Sequence, residues 1–180
     1  MKIRIGDRFQ GMWYGWKHGL PVDGLTSLHT RAYFMKEVWP KELSRAERYE
    51  YPLSVVEIDL DNLTDINNTN GHLEGDKVLR LLSEIAKEII RPADTLVRWG
   101  GDEFLLILPE TDIVQVRMVV DRMREAFGEM LSASFGVAEW HKGMSFRALF
   151  SRADDELYED KKRKHKEESL RLLNKTFPKQ

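Results

Sequence analysis

A chain of 180 residues with 42% hydrophobic content is long enough for one substantial core and short for two domains. The absence of cysteine excludes disulfides and thiolate metal sites, and a net charge of −2 makes no electrostatic case for a nucleic-acid partner. No apolar stretch reaches spanning length and no signal-peptide apolar region follows Met1-Lys2-Ile3-Arg4, so a cytoplasmic domain without a membrane span is expected.

In chain order, residues 1–20 carry Phe9, Trp13 and Trp16 at helical spacing and Gly11, Gly15 and Gly19 every four residues. This segment reads as a helix or a dimer contact. Residues 30–48 read as a helix that Pro40 must kink or split. Residues 52–59 predict a strand and 61–69 a short helix. The segment 74–90 predicts an amphipathic helix with Val78, Leu82, Ile85 and Ile89 on one face. A hairpin of 94–98 and 103–109 turns at Gly100-Gly101. Residues 112–128 form a helix through Ile113, Val116, Val120, Met123 and Phe127, and 131–138 a strand in which Ser132, Ser134 and Gly136 alternate with Ala133, Phe135 and Val137. Residues 145–172 close the chain as one long helix or two. From residue 52 the order β-α-α-β-β-α-β-α predicts a ferredoxin-like α/β sandwich, with an antiparallel-containing sheet and helices mainly on one face.

Two apolar strands deliver carboxylates at one end. Leu53 to Ile58 runs into Asp59-Leu60-Asp61-Asn62, and Arg98-Trp99-Gly100-Gly101-Asp102-Glu103 leads into Phe104 to Leu108. Hard divalent cations take oxygen ligands and are commonly held by one or two carboxylates plus substrate phosphates, so Asp59 and Asp102 on neighbouring strands make a metal pair. Period-2 alternation sets Glu57, Asp59 and Asp61 on one strand face and Val56, Ile58 and Leu60 on the other. Gly100 and Gly101 permit unusual backbone angles and close approach of a ligand, although Gly-Asp is also ordinary turn chemistry. Asp61, past the strand end, reads as a cap on the next helix.

The run Asp59 to Asn68, then Gly71-His72-Leu73-Glu74-Gly75-Asp76, then Arg98 to Phe104 resembles the GGDEF family of diguanylate cyclases in order and spacing. Asp23-Gly24-Leu25-Thr26-Ser27-Leu28, Ser134-Phe135-Gly136-Val137-Ala138, and Ala153-Asp154 with Leu157-Tyr158 and Lys161 extend the resemblance over about residues 21–166. It implies a GGDEF catalytic domain over 21–172, with 1–20 and 173–180 as flanking segments. The implied fold is the α/β (α+β) ferredoxin-like palm of the nucleotide cyclases, a mostly antiparallel sheet flanked by helices. The implied reaction joins two GTP into cyclic di-GMP and two pyrophosphates across a homodimer.

By the same resemblance, Asp59, the Leu60 carbonyl and Asp102 hold two Mg²⁺ or Mn²⁺ ions per active site. Asp102 or Glu103 takes the 3′-hydroxyl proton, with proton loss to water as the competing route. The N–H groups of Asn62, Leu63 and Thr64 cradle the phosphates together with Gly100, Gly101, Lys161 and His165. Asn67 and Asp76 read guanine, the carboxylate accepting from donors that adenine lacks. Without the resemblance Asn67 reads as a helix C-cap and Asp76 as an N-terminal helix charge. Arg91 and Asp94 match an inhibitory site for the product cyclic di-GMP, and otherwise read as a helix end and a turn around Pro92.

The chain departs from the family pattern at several of these positions. Leu63-Thr64 replaces the usual Phe-Lys, Thr30 the usual Asn, and Asn68 the usual Asp. Lys164-His165-Lys166 replaces Gly-Arg-Asn, and a histidine is only partly charged near pH 7. Lys162, Lys164 and Lys166 are the candidates to compensate. The alternative function is a catalytically weakened domain acting as a GTP or cyclic di-GMP receptor.

Overall fold

The computed structural model describes residues 21–176. The readings made for Phe9, Trp13, Trp16 and the glycines of 1–20 lie outside the described residues. The elements are β1 (His29–Thr30), α1 (Arg31–Tyr33), a π-helical stretch (Phe34–Val38), α2 (Trp39–Tyr49), β2 (Leu53–Leu60), α3 (Leu63–Asn70), α4 (His72–Ile89), β3 (Thr95–Arg98), β4 (Glu103–Pro109), α5 (Ile113–Phe127), β5 (Ala133–Glu139) and α6 (Phe146–Thr176). They form one five-stranded sheet in the order β1-β3-β4-β2-β5. Every pairing is antiparallel except β1 with β3. The expected ferredoxin-like palm is therefore present, with a two-residue edge strand that periodicity had no length to reveal.

Helices cover both faces of the sheet, where the sequence predicted them mainly on one. Val56, Ile58, Leu60, Phe104, Leu106, Leu108, Phe135 and Val137 pack with Leu79, Leu82 and Ala86 of α4 and Val116, Val120, Met123 and Phe127 of α5. The alternate residues Leu53, Val55, Leu105, Ile107 and Ala138 pack with Phe34, Trp39 and Ala46 and with Leu149 and Ala153 of α6. Strands this uniformly apolar are the signature of burial on both faces, since a half-solvated strand would alternate with polar residues.

Pro40 splits the first helical segment as expected. The Trp39 N–H reaches back five residues to the Phe34 carbonyl, so Pro40 falls in the first turn of α2, where its missing N–H costs nothing. Residues predicted as one or two closing helices form the single helix α6. Its close approach to β5 needs Gly136, because a Cβ there would lie 1.9 Å from the Ala153 carbonyl oxygen and 2.5 Å from Leu157 N. Asp160, one turn further along α6, accepts from the Phe135 N–H of edge strand β5 at 3.0 Å and from Arg124 Nη2 at 2.7 Å. Together these contacts fix the register of α6 along the strand, and with it the positions of Lys161 and Lys164.

Candidate active site

The carboxylates gather where β2 and β4 end. Asp59 lies directly across from Glu103 in the β2–β4 ladder, which puts their side chains on one face, and the Leu60 N–H donates to the Asp102 carbonyl at 3.0 Å. Asp102 thus sits one residue beyond the paired strand, at the hairpin turn closed by the Trp99 and Gly100 N–H groups on the Glu103 carbonyl.

Asp59 is buried, and burial pushes its carboxyl pKa up from the usual range; Lys161 opposes that rise, while the neighbouring Asp102 and Glu103 charges add to it. The Lys161 ammonium lies 2.7 Å from Asp59 Oδ2. A buried acid beside two others is a place that favours an added cation. The donor set, carboxylates and main-chain carbonyls, suits a hard divalent ion. Among the described residues no three acids or histidines converge as a complete cage, so such an ion would draw its remaining ligands from phosphate or water.

The turn is held by residues to which sequence reasoning gave no role. Arg98 Nη2 donates to the Gly101 carbonyl at 2.8 Å, and its Nη1 pairs with Asp23 Oδ1 at 3.0 Å. Asp23 also receives the Thr26 N–H and hydroxyl; burial alone would raise its pKa, but these donors and Arg98 hold it below the usual range. Arg31 stacks its guanidinium over Trp99, 4.3 Å from the ring centroid, where its charge acts on Glu103. A separation of 75 residues between Asp23 and Arg98 leaves no local signal for their pairing.

Gly100 and Gly101 do not adopt the left-handed angles that their pairing suggested; neither has positive φ. Gly100 instead leaves room for Glu103, whose Oε2 would lie 3.0 Å from a Cβ there, and Gly101 presents bare main chain with nothing near the Cβ position. The ligand-approach half of the expectation keeps its geometric basis.

Past β2 the chain turns sharply. Asn62 takes φ 61°, a left-handed angle that asparagine tolerates better than most residues, and α3 begins with no side-chain cap. Asp61 is not the cap predicted for it. Its carboxylate receives the Ser132 hydroxyl at 2.6 Å, the Ser134 hydroxyl at 2.8 Å and the Lys164 ammonium at 2.8 Å. Burial works against ionisation, but these donors outweigh it and hold Asp61 below the usual carboxylate range. The first N–H groups of α3, at Leu63 and Thr64, are left for another acceptor.

Asn67 meets Gly75, the residue before Asp76, across the α3–α4 corner. Gly75 lets the helices meet closely, since a Cβ on it would fall 2.1 Å from Asn67 Oδ1. The C-cap role belongs to Gly71, at φ 86°, and not to Asn67. Lys161 is brought to the site, whereas His165 lies exposed on α6.

Arg91 and Asp94 close on each other. Asp94 Oδ2 accepts the Arg91 N–H at 2.8 Å, Arg91 Nη2 lies 3.3 Å from Asp94 Oδ1, and the same nitrogen reaches the Thr111 hydroxyl at 2.5 Å. The Asp94 side chain is 1% exposed and that of Arg91 56%.

Comparison with known proteins identifies the family. The family model for the diguanylate cyclase GGDEF domain matches residues 21–167. Diguanylate cyclase DosC of Escherichia coli (strain K12) is 34% identical over 158 residues, covering 82% of this chain and 34% of the relative. Diguanylate cyclase DgcP of Pseudomonas aeruginosa is 35% identical over 151 residues, covering 78% and 22%. The crystal structure of the GGDEF domain of DgcB from Caulobacter crescentus in complex with c-di-GMP matches with a TM-score of 0.75 at 27% identity, over 79% of this chain and 88% of that one. The chain belongs to the GGDEF-domain diguanylate cyclase family. It spans 34% of DosC and 22% of DgcP. No described helix is long and apolar enough to cross a membrane.

Proposed function

We propose that this domain condenses two GTP molecules into cyclic di-GMP, each of two facing protomers holding one nucleotide. The observation that carries the reading is the Asp59–Lys161 pair at one sheet end, with the Asp102 and Glu103 charges acting on Asp59, beside an uncapped helix N-terminus. The phosphates lie against the N–H groups of Asn62, Leu63 and Thr64 and the open main chain of Gly100 and Gly101, with Lys161 as a cation and His165 at the rim. Asn67 pairs with the purine and Asp76 accepts from the guanine N1–H and amine.

Asp59, the Leu60 carbonyl and Asp102 would hold two Mg²⁺ or Mn²⁺ ions, which when bound would lower the pKa of the 3′-hydroxyl and offset the charge of the leaving pyrophosphate. The 3′-oxygen of one nucleotide bonds to the α-phosphorus of the other, the bond to the β-phosphate oxygen breaks, and pyrophosphate departs. Asp102 or Glu103 accepts the hydroxyl proton. Two such transfers close the ring, so a single protomer cannot complete it.

Arg91 and Asp94 form the product site. The exposed guanidinium makes the contact to phosphate or guanine, and the inward Asp94 fixes its direction. The test is incubation with GTP and Mg²⁺ at rising protein concentration, followed by chromatography. Cyclic di-GMP forming with a rate that rises faster than linearly in protein supports the reading. GTP or cyclic di-GMP binding without product at high concentration replaces it with the receptor reading, and mainly adenine-containing product from mixed nucleotides overturns the role of Asp76.

A further inference from the structure

The basic run from Lys161 to Lys166 is divided by its contacts. Lys162 Nζ binds Glu159 at 2.6 Å and Arg163 pairs with Asp160, both within α6. Lys161 and Lys164, one helical turn apart on the same side, face the end of β2 and meet Asp59 on the strand and Asp61 just past it. Lys164 Nζ binds Asp61 Oδ2 at 2.8 Å and also donates to the Ala133 carbonyl, with Ser132 Oγ at 3.5 Å.

Asp61 immediately precedes the left-handed Asn62 and the uncapped start of α3, so the Lys164 ammonium is parked one residue from main-chain N–H groups that have no side-chain acceptor. The parking is reversible in chemical terms. Asp61 keeps the Ser132 and Ser134 hydroxyls when Lys164 leaves, so no carboxylate is stranded. A triphosphate offers several negative charges against the single charge of Asp61, and Thr64, at the start of the same helix, brings none of its own.

We infer that Lys164 is a triphosphate-binding residue, held on Asp61 in the free chain and transferred to the nucleotide's phosphates on binding. The inference rests on the reading of this cleft as a GTP site. It resolves which lysine of the run supplies the second cation: Lys164, with Lys162 committed to Glu159.

The test is calorimetric titration of wild type, Lys164→Met, Lys164→Arg and the double variant Asp61→Asn/Lys164→Met, in Mg²⁺, with a non-hydrolysable GTP analogue, GDP and GMP. Loss of one charge-assisted contact weakens triphosphate binding by roughly tenfold in Lys164→Met. GMP binding changes little, and Lys164→Arg retains most of the triphosphate affinity. The double variant removes the ion pair as a unit, so its thermal stability returns towards wild type while triphosphate binding stays weak. Equal weakening for all three nucleotides, or recovery of triphosphate affinity in the double variant, gives Lys164 a purely structural role and overturns the inference. Wild type that binds no guanine nucleotide at all removes the nucleotide reading itself, which is a separate failure.

Discussion

Lys161 and Asp59 form an ion pair of 2.7 Å between α6 and the end of β2, so in the free chain an ammonium serves as counter-charge to the most deeply buried acid of the site. A divalent ion must compete with that ammonium for the carboxylate. Lys161→Met therefore tightens Mn²⁺ binding to the nucleotide-free protein severalfold, as calorimetry would show, while GTP turnover falls by roughly tenfold or more for want of a phosphate contact. Weaker Mn²⁺ binding in the variant would contradict the competition.

Asp59 and Asp61 carry opposite electrostatic signs on stability. The folded-state pKa of Asp59 is raised, so its contribution is fully present below the unfolded value and is lost as pH rises through the folded one. Asp59→Asn accordingly stabilises the domain at pH 7, and the gain fades as pH falls through the folded-state value towards the ordinary carboxylate range. The pKa of Asp61 is lowered, so its contribution is present above the unfolded value and is lost as pH falls through the folded one. Asp61→Asn costs stability at pH 7 and little in strong acid. Urea denaturation at several pH values measures both, and the same sign for the two variants at pH 7 would refute the contrast.

Gly75→Ala drives a methyl to within 2.1 Å of the Asn67 side-chain oxygen and 3.1 Å of Leu63 Cδ1. The amide must turn away, at a stability cost of about 1 to 3 kcal/mol. Guanine recognition should suffer more than the fold: we expect the KM for GTP to rise by roughly tenfold, with thermal unfolding still cooperative. An unchanged KM would remove Asn67 from guanine binding.

Arg91→Ala separates the two uses of its guanidinium. The Asp94 carboxylate keeps the Arg91 main-chain N–H but loses the guanidinium it pairs with, so stability falls by about 1 to 2 kcal/mol. Initial rates at zero product stay near wild type, and the cyclic di-GMP concentration that halves activity rises at least tenfold. Unaltered inhibition would reduce the pair to a fastener between the β3 approach and Thr111.

The strands and long helices were legible because their apolar periods are strong: the predicted hairpin, the amphipathic helix ending near residue 90 and the long closing helix all stand within a few residues of their expected limits. The two-residue β1 and the π-helical stretch before Pro40 have too few residues to show a period. At the site, acids adjacent in sequence to strand ends were found, whereas Arg98 with Asp23 and Lys164 with Asp61 join residues 75 and 103 positions apart. Capping is a local rule and misplaces Asp61, whose partners come from Ser132 just before β5, Ser134 on it and Lys164 on α6. Arg91 and Asp94 are close in sequence, yet only the packing against Thr111 reveals that the carboxylate turns inward.

At Gly101 the demands of folding and of chemistry come apart. Its φ is not positive and the space around its Cβ position is empty, so an alanine there should leave the unliganded protein as it was. Whatever penalty such a change brings is then levied by the incoming molecule alone, which makes this glycine a gauge of how closely the nucleotide lies against the hairpin.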